Sequence, residues 1–210
     1  LPTRLTAKGH AMRESLLVAA AKMFAELGYE QTRVSDLVTQ AGTSHGNFYR
    51  HFKDKDEILL EVLRPLIDDV RVTSSADSNA DRLPSEAEFA ERNTAFFRVY
   101  AKHRRLLRVM REAASRGGHE SSFLELWLSQ RERFVSRTER WLRRLQTSGM
   151  IAKSLDAHAL AEALGSMTEQ LAYVKIGLAS KSVPASEIEE LGRTCGRIWY
   201  ASLTATGAPT

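Results

Sequence analysis

The chain has 210 residues and a mass of 23.5 kDa, enough for one large domain or two small ones around a substantial core. Hydrophobic residues make up 43% and charged residues 27%, too apolar a mixture for a disordered chain. Thirty basic against twenty-six acidic residues leave +4, with a sequence pI near 9.3, which permits a polyanionic partner without demanding one.

The longest wholly apolar run, residues 16–21, is far short of the roughly 18 residues a membrane helix needs, so no membrane partner is expected. No secretory signal is visible, and a chain opening at Leu1 is expected to be a trimmed one. A single cysteine, Cys195, excludes an internal disulfide framework and a cysteine-based zinc site, and fits a reducing cytoplasm. His103, His119 and His158 lack metal-like spacing, and no cofactor is expected.

There is no internal repeat and no strand-like alternation. What recurs is the three-and-four spacing that gathers apolar side chains on one helix face. The first helix is predicted over residues 11–27, with Leu16, Ala20, Phe24 and Leu27 as its stripe and Gly28 as a left-handed cap. A short second helix covers 33–41, with Val34, Leu37, Val38 and Ala41 on one side and Thr32 as its N-cap. Gly42-Thr43-Ser44 then makes a tight turn, and Ser44 caps a third helix reaching His51, with Phe48 and Phe52 as its apolar face. Asp54 caps the fourth, which carries Ile58, Leu59, Val62, Leu63, Leu66, Ile67 and Val70, and Pro65 inside it should bend the axis.

Residues 73–85 are rich in Ser, Asp and Asn and read as a loop. Ser85 with Glu88 matches a capping box opening a helix to about His103. Further helices are predicted over 104–115, closed by Gly117-Gly118, over 121–147, stopped by Gly149, and over 156–180. Pro184 breaks the chain, and Ser186 with Glu189 is read as a second capping box opening a last helix to Leu203. The expected fold class is all-α, with about nine helices.

Two short helices joined by a three-residue turn at Gly42 make a helix-turn-helix. Its apolar residues bury against the first helix, which leaves His45, Asn47, Tyr49 and Arg50 facing outward, hydrogen-bonding groups of the kind a DNA reader needs. The string Ala20-Ala21-x-x-Phe24-x-x-x-Gly28-Tyr29-x-x-Thr32 is followed by Ala41-Gly42-Thr43-Ser44-x-Gly46-x-Phe48-Tyr49-x-His51-Phe52-x-x-Lys55-x-x-Ile58-Leu59. On these residues, positions 12–60 resemble the DNA-binding domain of the tetracycline-repressor (TetR/AcrR) family of bacterial regulators.

That resemblance implies Thr32 and Arg33 beside the DNA backbone, and Thr43 and Ser44 at the turn contacting phosphate or base edges. It implies His45 and Asn47 on base edges, Tyr49 and His51 on phosphates, and Lys55 as a phosphate-binding lysine. Thr43 stands where a valine is commoner in the family, and Arg33 where a second threonine is commoner, so no operator sequence carries over. Residues 42–46 also satisfy the G-x-S-x-G pattern of a serine hydrolase, but that elbow needs a strand before the serine and a helix precedes it here. Residues 1–53 hold seven Lys/Arg against four acids, a modest salt-sensitive attraction for DNA. Arg4 and Lys8 among them could form an arm along it.

The expected division is 1–56 as the DNA-binding domain and 57–210 as a helical ligand-binding and dimerisation domain. Half-site readers usually act as two-fold dimers. The stripes Leu160, Leu164, Met167, Leu171, Leu178 and Ile188, Leu191, Cys195, Ile198, Trp199 would suit a four-helix interface between two copies. By resemblance a ligand cavity opens among the middle helices, walled by Leu63, Ile67, Phe96, Phe97, Tyr100, Met110, Trp127, Met167 and Leu171, a lining for a largely apolar effector. Between Arg98 and Arg116 seven cations face Glu112 alone, and six more arginines follow between Arg131 and Arg144. They read as a solvated face pairing with acids elsewhere, or as guards of a pocket for an anionic ligand. The reading is a ligand-responsive transcriptional regulator, a repressor and not an enzyme, that binds a palindromic operator as a cytoplasmic homodimer and is released by a small molecule. The alternative is a helical small-molecule-binding protein that does not bind DNA.

Overall fold

A computed structural model of the chain describes residues 6–73, 82–116 and 122–205. Among the described residues every regular element is helical: α1 (Ala7–Gln31), α2 (Val34–Gln40), α3 (His45–Tyr49), α4 (Lys55–Thr73), α5 (Glu86–Arg116), α6 (Ser122–Thr147), α7 (Ala157–Ala172), a π-helical turn (Tyr173–Gly177) and α8 (Ala185–Thr204). Among the described residues no helix is long and apolar enough to cross a membrane. Arg4, most of the 73–85 loop, Gly117-Gly118 and His119 lie outside the described residues.

The helix ends follow from local chemistry. α1 is kinked at Gly28, whose φ of 81° and ψ of 174° are closed to other residues. At the end of α6, Gly149 (φ 71°) lets Met150 N–H reach back to the Leu145 carbonyl at 2.9 Å, closing the helix. Ser85 and Glu88 form the expected capping box, each side chain accepting from the other's backbone N–H at 3.3 and 2.8 Å. Arg82 beside Glu88, with help from Ser85, holds that carboxyl at about 2. Asp156 caps α7 by accepting from the N–H groups of His158 and Ala159, 3.0 Å each.

Three expectations are corrected. The helices predicted over 85–103 and 104–115 are one continuous α5, because nothing between His103 and Arg104 breaks a helix. The last helix starts two residues earlier than a Ser186 cap requires. Pro184, extended at φ −60° and ψ 148°, takes the N-cap position and no side chain caps it. Thr32 does not cap α2. It ends α1 fully buried, with its hydroxyl donating to the Gly28 carbonyl at 2.7 Å, and Arg33 holds the N-cap position.

The chain forms two compact units, Leu1–Leu66 with Arg105–Leu124, and Ile67–Arg104 with Glu125–Thr210. The first buries Leu16, Ala20, Phe24, Leu37, Phe48, Phe52, Ile58, Leu59 and Leu63 in its core. In the second, Phe89 packs against Trp141 edge-to-face and stacks on Trp199, with ring centroids 6.1 and 5.9 Å apart. Several of its buried polar groups find partners within the unit: Asn93 donates to the Phe89 carbonyl, Thr168 to the Leu164 carbonyl, and the Trp199 indole N–H to the Thr168 hydroxyl at 3.2 Å.

Two glycines let α8 lie directly on α5 in this unit. A methyl group at Gly192 would collide with Thr94, and one at Gly196 with the backbone of Ala90. Gly196→Ala cannot be accommodated by turning a side chain, since the obstacle is main chain. It is expected to destabilise the fold by about 1–3 kcal/mol, the usual cost of overpacking, read as a lower urea midpoint.

Candidate nucleic-acid interface

α2 ends with Gly42 at φ 63°, so that Thr43 N–H bonds the Val38 carbonyl at 2.9 Å and Ala41 N–H the Leu37 carbonyl at 2.9 Å. The reversal this allows turns the chain straight into α3. Ser44 is its N-cap, extended and accepting from Asn47 N–H at 3.3 Å. Phe48 is buried completely, and Phe52, 1% exposed, follows in a turn whose N–H returns to the Phe48 carbonyl. The Arg13 guanidinium stands 5.0 Å from the Phe52 ring centre and pairs with Glu61 at 2.8 Å, covering that ring from outside.

With this apolar side anchored, the opposite side of α3 is polar and open. Ser44, His45 and Arg50 are exposed, and Tyr49 is 58% exposed with its ring set edge-to-face on Phe48 at 5.2 Å. Asn47 and Thr43 are half-buried, and the Asn47 side-chain N–H donates to the Thr43 hydroxyl at 2.9 Å. Arg33 is exposed, while its backbone N–H donates to the Asp36 carboxylate at 2.7 Å. The structure therefore brings Arg33, Thr43, Ser44, His45, Asn47 and Tyr49 to the elements expected to carry them.

Two residues behave differently from expectation. The buried Thr32 side chain presents nothing to a ligand, because its hydroxyl is spent inside on the α1 kink. Lys55 is not a bare cation. Its ammonium donates to the Tyr29 carbonyl at 2.9 Å and stands 4.0 Å from the Tyr29 ring centre, which leaves only its remaining hydrogens for a phosphate. The Tyr29 phenol donates to Asp56, and burial with that carboxylate raises its pKa. Sequence reasoning left out Lys53, which is 87% exposed, and kept Arg50 off the contact set. Both fall on variable positions of the motif string, although both are in the count of basic residues. Ser44 follows a helix and a turn, with no strand before it, so a hydrolase elbow is absent among the described residues.

The residues expected to wall a ligand cavity divide between the units: Leu63 and Met110 in the first, the other seven in the second. Within the second unit Phe96 packs against Phe97 and Tyr100 at 5.4 and 6.0 Å, and the Trp127 indole N–H donates to Glu169 at 2.8 Å. Ile67, Phe97 and Tyr100 are buried, and Phe96, Trp127, Met167 and Leu171 are half-buried. Trp141, 1% exposed, keeps its indole N–H without a hydrogen-bond partner.

The expected dimer stripe needs correction. Leu164, Ile188, Cys195 and Trp199 are buried within a single chain, and on α8 the glycine approach to α5 turns that face inward. Burial pushes the Cys195 thiol up to about 11. Leu160, Met167, Leu171 and Leu191 are half-buried, while Val174, Leu178 and Ile198 are 45%, 48% and 41% exposed. Many of the basic residues on α5 and α6 meet acids: Arg98 with Glu189 at 3.0 Å, Lys102 with Asp69 at 3.6 Å, Arg131 with Glu162 and Glu169, Arg143 with Glu139 at 2.7 Å.

His51 closes α3 with its Nδ1 buried and unpartnered. Burial, then the Arg50 and Arg13 charges, holds its pKa below the ordinary 6.5. The folded form thus disfavours the imidazolium, and the unfolded chain binds the proton first as pH falls. Stability associated with His51 is complete above pH 6.5 and is lost as pH drops through its folded pKa. His51→Gln should therefore lose less stability than the wild type as pH falls below 6.5, measured by urea unfolding at each pH. The opposite trend from His158, whose pKa is raised by Glu139, is present in both proteins and cancels in the difference.

Comparison with known proteins agrees with this arrangement. Residues 16–62 match the family model described as bacterial regulatory proteins of the tetR family, and residues 90–204 match the C-terminal domain of the transcriptional regulator EthR. The chain is 26% identical over 197 residues to the HTH-type transcriptional regulator EthR of Mycolicibacterium smegmatis, covering 92% of this chain and 87% of that one. It is 45% identical over 56 residues to the HTH-type transcriptional repressor KstR2 of the same species, 27% of each chain. GusR of Salmonella enterica has a similar fold, with a TM-score of 0.68 at 19% identity over 95% of this chain and 98% of its own.

Proposed function

The chain belongs to the TetR family of helix-turn-helix transcriptional regulators, with an EthR-like C-terminal domain, and from that premise we propose that it is a repressor released from its operator by a small molecule. A homodimer would grip the two halves of a palindrome, with one α3 in each major groove. His45 and Asn47 would meet base edges, while Arg33, Ser44, Tyr49, His51 and the remaining hydrogens of Lys55 meet phosphates. Arg50 and Lys53 join them as exposed cations. The observation that carries the reading is the outward polar side of α3, held in place by the buried Phe48 and the capping Ser44. The name of the KstR2 relative supports the sign of regulation.

The dimer would use the apolar surface that the single chain leaves uncovered on the last helices, centred on Val174, Leu178 and Ile198 with Leu160, Met167, Leu171 and Leu191 beside them. The effector would enter the second unit, lined by Phe96, Phe97, Tyr100, Trp127, Met167 and Leu171. The unpartnered Trp141 N–H suits an effector that carries one hydrogen-bond acceptor on an apolar frame. Leu63 and Met110, in the other unit, stay outside that lining. The domain division at residue 56 is better drawn inside α4. That helix is continuous from Lys55 to Thr73 and has residues in both units, so it could carry the coupling, with Pro65 in its middle. Effector and operator would prefer different arrangements of the protein and weaken each other equally. A regulator of this kind works where the DNA is, in the cytoplasm.

Two experiments test this. Binding to DNA flanking the chain's own gene, followed across a salt series, should be tight and steeply salt-dependent. Arg50→Ala and Lys53→Ala should each reduce the slope of log K against log salt by about 0.9. A folded protein with no sequence preference at any salt would remove the regulator reading. Separately, Ile198→Glu combined with Val174→Glu should give a folded monomer in sedimentation equilibrium, and a dimer that persists would move the interface elsewhere.

A further inference from the structure

We propose that Asn47 reads an adenine in each operator half-site and that Thr43 positions it, so that the two residues together set the base preference at one position. The proposal rests on the DNA-binding reading above and adds to it the base that is read and the residue that aims the reader.

Asn47 lies in the middle of α3, whose remaining outward groups are the imidazole of His45 and the phenol of Tyr49. A carboxamide offers an oxygen acceptor and two N–H donors. One of the donors is bound to the Thr43 hydroxyl at 2.9 Å. Thr43 is itself half-buried, and its own N–H is bonded to the Val38 carbonyl at 2.9 Å, which ties its backbone to α2. Asn47 is held from its other end as well, its backbone N–H donating to the Ser44 hydroxyl at 3.3 Å. The plane of the amide is thereby set by the turn before any DNA arrives.

What remains for a partner is the Oδ1 acceptor and one N–H donor of the same carboxamide. In the major groove only adenine pairs an N–H2 donor at N6 with an acceptor at N7 on one base. Guanine shows two acceptors there, cytosine a donor alone, and thymine an acceptor beside a methyl group. A flexible asparagine could rotate to serve several of these edges. One whose second donor is fixed to Thr43 cannot do so without breaking that bond, and this gives the hydroxyl at position 43 its role.

The test is selection of binding sites from random-sequence duplex DNA, with sequencing of the enriched pool, using the full-length wild type, Asn47→Ala, Thr43→Val, Thr43→Ala and Thr43→Ser. Thermal unfolding confirms that each variant is folded. Thr43→Val keeps the shape of the side chain and removes the hydroxyl; Thr43→Ala removes the hydroxyl without the β-branch, should valine disturb the turn. The wild type should show one half-site position where adenine is preferred by roughly 5- to 100-fold. Asn47→Ala should flatten that position. Thr43→Val and Thr43→Ala should cut the preference there about fivefold or more relative to the preferences at the other positions of the same site, and Thr43→Ser should restore it. An Asn47-dependent position that is not adenine overturns the proposal, as does a Thr43→Val protein with undiminished preference at that position. If the wild type enriches no sequence, the DNA-binding reading itself falls. If it enriches a clear site that Thr43→Val and Thr43→Ala leave untouched, only this proposal does.

Discussion

A helix of five residues has no stability of its own in water, because nucleation costs more than so few hydrogen bonds return. α3 persists for two reasons that lie on opposite sides of it. Phe48 and Phe52 bury, a gain of about 1.5–3 kcal/mol each, and Ser44 satisfies the Asn47 N–H at the open end, a cap of about 1 kcal/mol. The anchoring is also directional. With both phenylalanines turned inward, residues 45, 47, 49 and 50 have to be outward, so the buried aromatic face determines which side chains can meet DNA. Gly42 is the third part of this arrangement, since only at a positive φ can the chain close α2 on the Leu37 and Val38 carbonyls and reach Ser44 within three residues.

The same kind of constraint operates in the second unit with the roles of large and small residues exchanged. There it is the absence of side chains at Gly192 and Gly196 that sets the packing, since the α8 backbone can lie against Thr94 and Ala90. Close approach buries the neighbouring Cys195 and Trp199, and Trp199 then finds both its stacking partner Phe89 and its hydrogen-bond partner Thr168. One side of α8 is used up inside the chain, while Ile198 stays exposed on the other.

Charge is distributed by the same division of labour. The cations of α5 and α6 look like an anion site when counted along the chain, yet in three dimensions many stand beside carboxylates, several of them 30 or more residues distant, as with Arg98 and Glu189. Exposed pairs of this sort contribute little to stability, from about 0 to 1 kcal/mol each. Arg33, Arg50 and Lys53 in the helix-turn-helix are exposed, and Lys53 approaches Asp54 only at 3.9 Å.

Most of the helices, their caps at Ser44, Asp54 and Ser85, the turn at Gly42 and the outward set on α3 were legible in the sequence, whereas the continuity of α5 was not. Each depends on residues within about five positions of one another, where periodicity and side-chain-to-backbone bonding leave their trace directly in the order of residue types. The buried role of Thr32, the engagement of Lys55 with Tyr29, the pairing of Arg98 with Glu189 and the inward turn of Cys195 and Trp199 were decided only by tertiary structure. Those outcomes depend on partners 4 to 110 positions away in the chain, and even the nearest, Gly28 beneath Thr32, becomes a partner only because a kink places its carbonyl there. An apolar stripe states that a helix must be covered; whether its own chain or a second copy covers it depends on which neighbour can come close enough.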